Sequence, residues 1–205
     1  MLKEEVYKYG ENMKIKTLYS CDYFTGEFSD VNRKEMGKIV LQNYLSGNNM
    51  DPDPSSIRNE DIRIPCDDNI CDLASKLANV WAAEASKQGV TNKKLELAYR
   101  TDPNEAFWAV VHAKGESTNL HSHENQQNYQ SGPHVSAAFW VQVPENSGNF
   151  VFRYKPNPYI VANEVILSKP GHFLLFDSAM EHFVTKNCSD GHRIVISMNF
   201  NIVES

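Results

Sequence analysis

The 205-residue chain has no long apolar run: its longest, Ala106 to Val111, is far short of the ~18–20 residues that span a bilayer. It also lacks an excess of positive charge. Twenty basic against 26 acidic residues leave a formal net charge of −6, which excludes a general nucleic-acid binder needing a basic footprint to neutralise phosphates. The N-terminal MLKEEVYKYGENMKIK has no apolar core of the kind a signal peptide carries, so a cytoplasmic protein is expected, with neither a membrane nor nucleic acid as partner. Cysteine is scarce. Cys66 and Cys71 form C-x4-C, while Cys21 and Cys188 are remote, so neither a zinc pairing nor a redox C-x-x-C is present. The expectation is four reduced, mostly buried thiols and no disulfide framework. No repeat, low-complexity tract or obvious linker divides the chain. With 41% apolar and 22% charged residues, it reads as one globular domain, residues 1–205.

What is present changes character near the middle. Residues 1–94 read as a scaffold of helix and strand, and residues 95–205 as an all-β core. Lys14 to Phe24 reads as a short strand. Arg33 to Leu45 reads as a helix, because Met36, Ile39, Val40 and Tyr44 recur at three- and four-residue spacing. Asp51 to Ser56, DPDPSS, is a loop, since its prolines remove backbone donors and fix φ. A second helix is capped by Asp67 or Asp68, runs to about Gln88 and stops at Gly89; Leu73, Leu77, Val80, Trp81 and Ala85 form its apolar face.

From Leu95 the period becomes two. The expected strands are Leu95–Arg100, Phe107–His112, Val135–Val143, Phe150–Tyr154, Tyr159–Leu167, His172–Phe176, His182–Thr185 and Arg193–Ile202. Eight short strands broken by Gly, Pro, Asn and Asp turns predict an α+β domain, an antiparallel barrel or jelly roll with the N-terminal helices packed on one outer face. A homodimer through those helices is left open.

The last strand raises a question about function. Ile194, Ile196, Met198, Phe200 and Ile202 point one way, and Arg193, Val195, Ser197, Asn199 and Asn201 the other. The polar set faces either solvent or the lumen of the barrel, and a buried arginine in a lumen demands an anion. Three histidines bear on that choice. His121 and His123 form H-x-H, whose spacing lets both imidazoles of an extended chain grip one ion, and His182 follows 59 residues after His123 as a ligand from a distant strand.

Gly171 precedes His182 by 11 residues, and His182 precedes Arg193 by 11. Together His121-Ser-His123, Ser136-Ala-Ala-Phe-Trp-Val-Gln-Val-Pro144, Gly171 to Phe176, His182 and Arg193 to Asn199 resemble the Fe(II)/2-oxoglutarate-dependent oxygenases, more narrowly their small bacterial and phage-type branch. The resemblance covers about residues 108 to 200. It implies a double-stranded β-helix (jelly-roll) fold, mononuclear Fe(II), 2-oxoglutarate as cosubstrate, and a dioxygenase, a hydroxylase by expectation, acting on a small-molecule or peptidyl substrate. His121 and His182 match metal ligands, and Arg193 matches the residue that binds the C5 carboxylate. Ser197 and Asn199 are the further candidates for cosubstrate binding.

Two departures stand out. The superfamily has a carboxylate at the second ligand where this chain has His123, with Glu124 adjacent as the alternative. The serine of R-x-S is Val195, so Ser197 is the residue left to supply that hydrogen bond. The segment 124–135 is longer than the pattern and is either a lid or a surface insertion. Two rivals remain: a cupin-type three-histidine dioxygenase, which shares the barrel but does not account for Arg193, and a non-catalytic jelly-roll binding module. Trp108 and Trp140 are expected beside the site or in the core; His112, His172 and His192 are expected to be structural or exposed, and His134 exposed.

Overall fold

The computed structural model describes residues 22–48, 61–99, 106–123 and 133–205. The elements in order are β1 (Tyr23–Glu27), α1 (Arg33–Leu45), β2 (Asp61–Ile62), α2 (Asp68–Lys87), β3 (Lys93–Leu97), β4 (Phe107–His112), β5 (Thr118–His121), β6 (Val135–Gln142), β7 (Phe150–Asn157), β8 (Ile160–Ile166), β9 (His172–Asp177), β10 (His182–Val184) and β11 (Arg193–Glu204). All strand pairings are antiparallel. A seven-stranded sheet runs β1-β9-β6-β11-β4-β2, with β3 also paired to β11, and faces a four-stranded sheet β5-β10-β7-β8. This is the expected jelly roll. No helix among the described residues is long and apolar enough to cross a membrane.

β11 is the axis of the molecule. Its first half pairs with β4, its second half with β3, and β6 lies along its other edge. Alternation sorts its side chains between two cores. Ile194, Ile196, Met198 and Phe200 join Met36 and Val40 of α1 and Ile70, Leu73 and Leu77 of α2 in one cluster, so both helices pack against the outer face of the larger sheet. Val195 joins Ala138, Trp140, Phe150, Phe152, Leu174 and Phe176 in a second cluster between the sheets.

Local chemistry accounts for the helices. The Asn32 side chain caps α1, accepting from the Glu35 N–H, and the Asp67 Oδ1 caps α2, accepting from the Ile70 N–H at 3.0 Å. Gly89, at φ +85°, ends α2 in the left-handed region. Gly171 also has positive φ, +87°, and its N–H donates to the Trp140 carbonyl at 2.8 Å, turning the chain into β9 beside β6.

Several expectations shift. The first described strand is Tyr23–Glu27, and residues 14–21 of the expected Lys14–Phe24 strand lie outside the described residues, as do the DPDPSS loop and Arg100. β2 and β5 were not expected: two and four residues, largely polar, carry no legible period. β7 extends to Asn157 and β11 to Glu204. The thiols are a correction. Cys66, Cys71 and Cys188 are exposed rather than buried, because they sit at a helix start and in a loop, not on an apolar face; Cys21 lies outside the described residues.

Candidate metal centre

β5 and β10 pair antiparallel with His121 directly opposite His182. The chain then leaves β5, and the His123 N–H donates to the Ser178 carbonyl at 2.8 Å, which swings the second imidazole back toward the first. One ring nitrogen from each of His121, His123 and His182 lies within 4.8 Å of the others. The Nε2 atoms of His121 and His123 are 3.2 Å apart.

Each ring is held from behind by an acceptor. His121 Nδ1 lies 2.8 Å from the Asn119 carbonyl and His182 Nδ1 2.8 Å from the Met180 carbonyl, so both Nδ1–H groups donate there. His123 Nδ1 lies 2.9 Å from Asn199 Oδ1 and 2.9 Å from Ser136 Oγ. The Ser136 hydroxyl donates to the same Asn199 oxygen at 2.8 Å and so accepts from Ser178 Oγ at 2.9 Å. With every proton committed to Nδ1, Nε2 is the lone-pair atom of each ring, the arrangement metal-binding histidines share. His182 stacks on Phe150 with centroids 4.9 Å apart and meets Phe176 edge-on at 5.0 Å. Burial among these rings, with His123 and His121 adjacent, pushes its pKa down to about 2, so the imidazole is neutral and ready to bind a cation at neutral pH.

The histidines open on a cavity of about 110 Å³ whose far wall is the polar face of β11: Arg193, Val195 and Ser197. The lumen-facing alternative therefore holds, and the solvent-facing one fails. Arg193 is 1% exposed; its Nη2 donates to Ser168 Oγ at 3.2 Å, and its buried Nε has no hydrogen-bond partner among the described residues. No carboxylate among the described residues lies within ion-pair distance of it. Burial lowers its pKa to about 10, which leaves it a cation at neutral pH and in need of an anion. Three neutral imidazoles and a buried guanidinium in one cavity are a donor set that fits a divalent cation and a carboxylate.

Asn199 is placed differently from its expected role. It does not line the cavity; its Oδ1 is spent on His123 and Ser136, because β11 has by then carried the face past the pocket to the back of the metal-facing ring. Glu124, the alternative for the second position, lies outside the described residues, while His123 stands in the cluster. His134 is exposed, its Nδ1 accepting from the Ile202 N–H at 3.0 Å. Trp108 lines the cavity, its ring 5.5 Å from His123, whereas Trp140 is buried between the sheets.

Sequence reasoning missed Asp61 and Thr118, while His112, expected to be structural or exposed, is buried and structural. Asp61 of β2 and Thr118 of β5 line the cavity from the two short strands that carried no period. His112 is fully buried opposite Arg193 on β4, with Nε2 2.8 Å from Thr118 Oγ1. Burial, then the charge of Arg193, pushes its pKa down to about 3. The signal was available in the alternation of β4, where Trp108, Val110 and His112 share the face that meets Arg193.

Residues 106–199 match the family model described as "Putative 2OG-Fe(II) oxygenase". No curated protein matches the chain by sequence. Among solved structures, a Pseudomonas putida prolyl-4-hydroxylase superposes with TM-score 0.59 at 10% identity, over 87% of this chain and 91% of that one. A Trichoplax adhaerens prolyl hydroxylase, in complex with a peptide fragment of the hypoxia inducible factor oxygen degradation domain, gives TM-score 0.57 at 18% identity over 87% and 83%. The epimerase SnoN from nogalamycin biosynthesis, in complex with Fe3+, alpha ketoglutarate and nogalamycin RO, gives 0.56 at 12% identity over 89% and 80%. These likenesses carry the fold. The family match over residues 106–199, with the three-histidine site, supports an enzyme of the Fe(II)/2-oxoglutarate-dependent oxygenase superfamily, with Fe(II) as its metal and 2-oxoglutarate as its cosubstrate.

Proposed function

We propose that the enzyme is a hydroxylase of a peptidyl or small-molecule substrate, in which His121, His123 and His182 hold the iron and Arg193, with Ser197 beside it, holds the distal carboxylate of 2-oxoglutarate. The observation that carries this reading is the presence, in one cavity, of a three-imidazole cluster and a buried guanidinium with no carboxylate of the described residues within ion-pair distance. Iron and 2-oxoglutarate, when bound, would supply, with O2 as the four-electron oxidant, the decarboxylation of 2-oxoglutarate to succinate and CO2 coupled to oxidation of a substrate C–H bond, one oxygen atom going to succinate and the other to the substrate.

The chain's own residues supply the geometry. The Nδ1–H bonds to Asn119, Met180 and Asn199 fix the three rings before any ion arrives, which lowers the cost of assembling the site. Arg193 presents a planar fork suited to a carboxylate, and the apolar walls of Phe150, Phe176, Val184 and Val195 keep water from competing with that pair. Three neutral ligands leave the ion its full positive charge, which favours an anionic cosubstrate. The likeness of the fold to two prolyl hydroxylases, one of them bound to a peptide, supports hydroxylation and admits a peptidyl substrate.

Anaerobic Fe(II) titration with and without 2-oxoglutarate tests the reading. A weak visible charge-transfer band that requires both, and that is lost in Arg193→Ala, is the expected result. Iron binding with no band at any 2-oxoglutarate concentration transfers the protein to the three-histidine dioxygenases that do not use this cosubstrate.

A further inference from the structure

Cys66 and Cys71 lie outside the metal site, and their sulfurs are 3.6 Å apart with both residues exposed. The helix start explains the approach. Asp67 is the N-cap of α2, so Cys66 occupies the position before the cap and Cys71 the fourth position of the helix. Those two positions face each other across the first turn and ordinarily carry an apolar pair that fixes the angle at which the chain enters the helix. Here the pair is two thiols. The Cys71 N–H donates to the Asp67 carbonyl at 3.0 Å and the Ile70 N–H to the Asp67 side chain at 3.0 Å, so the backbone holds the two side chains together without help from the sulfurs.

We propose that Cys66 and Cys71 form a dithiol modification site that closes to an intramolecular disulfide in the presence of a small disulfide oxidant such as oxidised glutathione. A bond of about 2.05 Å requires the sulfurs to approach by about 1.5 Å, a distance within reach of side-chain rotation at exposed positions. The chemistry balances as two exchanges. One cysteine thiolate attacks a sulfur of the oxidised glutathione, the glutathione S–S bond breaks, and one glutathione leaves as a thiolate that takes up the proton. The second cysteine then attacks the mixed disulfide, expelling the second glutathione, so that two protein thiols are oxidised and one glutathione disulfide is reduced to two thiols. The product is a six-residue ring, Cys66 to Cys71, across the first turn of α2, a covalent version of the contact already present. The adjacent segment leads back to Asp61 on the wall of the cavity, so the ring sits where the scaffold helix joins the site.

The test treats the full chain with oxidised glutathione, alkylates the remaining thiols and maps the peptides by mass. The expected result is a fall from four alkylatable thiols to two, a monomeric chain, a 66–71 peptide lighter by two hydrogens, and slower amide hydrogen exchange over residues 69–72. Cys66→Ser carries a glutathione adduct on Cys71 in place of the ring, and Cys188→Ser closes the ring as the parent chain does. Glutathione adducts that persist on both Cys66 and Cys71 of the parent chain, or a bridge from either one to Cys188, to Cys21 or to a second chain, would overturn the proposal.

Discussion

Asn199 and His123, 76 residues apart in sequence, meet through a 2.9 Å bond in which the imidazole Nδ1–H donates to the side-chain carbonyl. The bond sets the tautomer of His123 and turns its Nε2 toward His121 and His182. Removing the acceptor in Asn199→Ala is expected to weaken Fe(II) binding about 10- to 100-fold. Asn199→Asp, which keeps an acceptor at that place, is expected to recover most of the loss. Competition against a chelating dye of known affinity measures both. Unchanged iron affinity with weakened 2-oxoglutarate binding would return Asn199 to the cosubstrate pocket.

The in-register pairing of His121 with His182 makes these two the most sensitive members of the cluster. His121→Ala and His182→Ala are each expected to purify without stoichiometric iron after anaerobic reconstitution, whereas His134→Ala, at an exposed position, retains it. Metal analysis of the three variants side by side decides it.

Arg193 is buried with no carboxylate partner among the described residues, and its substitution acts on the cosubstrate rather than on the ion. Arg193→Met, which keeps the volume and removes the charge, is expected to cost about 2–4 kcal/mol of 2-oxoglutarate binding, roughly 30- to 1,000-fold in Kd, with iron affinity unchanged. Equilibrium binding of 2-oxoglutarate to the anaerobic Fe(II) protein reads this directly.

His112 makes stability depend on pH. Its pKa is lowered to about 3 in the fold, against 6.5 in the unfolded chain. Between these values the unfolded chain holds a proton that the folded chain does not, so the contribution is complete above pH 6.5 and is lost as the pH falls toward 3. The expected slope is about 1.4 kcal/mol per pH unit for this one ring. Denaturant unfolding of His112→Gln across that range, at matched metal content, should show a shallower fall than the parent chain.

The two helices contribute through the outer face of the larger sheet. Leu73 of α2 is fully buried in the cluster that α2 shares with Phe107 of β4 and Ile194 of β11, and Leu73→Ala is expected to cost about 2–5 kcal/mol of unfolding free energy. Leu45→Ala, at the 80%-exposed end of α1, is expected to cost almost nothing. Parallel chemical denaturation provides the comparison.

Alternation and helical spacing made most of the frame legible. Arg33–Leu45 and Phe107–His112 have the bounds their periods indicate, since each buries a continuous apolar face that local sequence records. β2 and β5 were not legible, because runs of two and four residues are too short to show a period and become strands only when a neighbouring strand satisfies their backbone groups. The loss mattered at the site, as those strands bring Asp61 and Thr118 to the cavity. The exposure of the cysteines was also misjudged, since a thiol's burial follows from the face it lands on and not from its residue type.

Local sequence specifies which residues could serve: three histidines with distant spacing, an arginine on the polar face of the last strand, and the alternation that divides β11 between two cores. Tertiary structure alone decided whether they serve together. It folded β5 against β10 so that His121 faces His182, closed a second sheet over Arg193 so that its charge sits in a lumen and not in water, and moved Asn199 from the pocket to the back of His123. The reason is physical. Periodicity reports which face of a strand a side chain takes, but what that face meets depends on strands brought in from far along the chain, as when β1 pairs with β9 and Tyr23 meets Phe176, and no local pattern encodes their arrival.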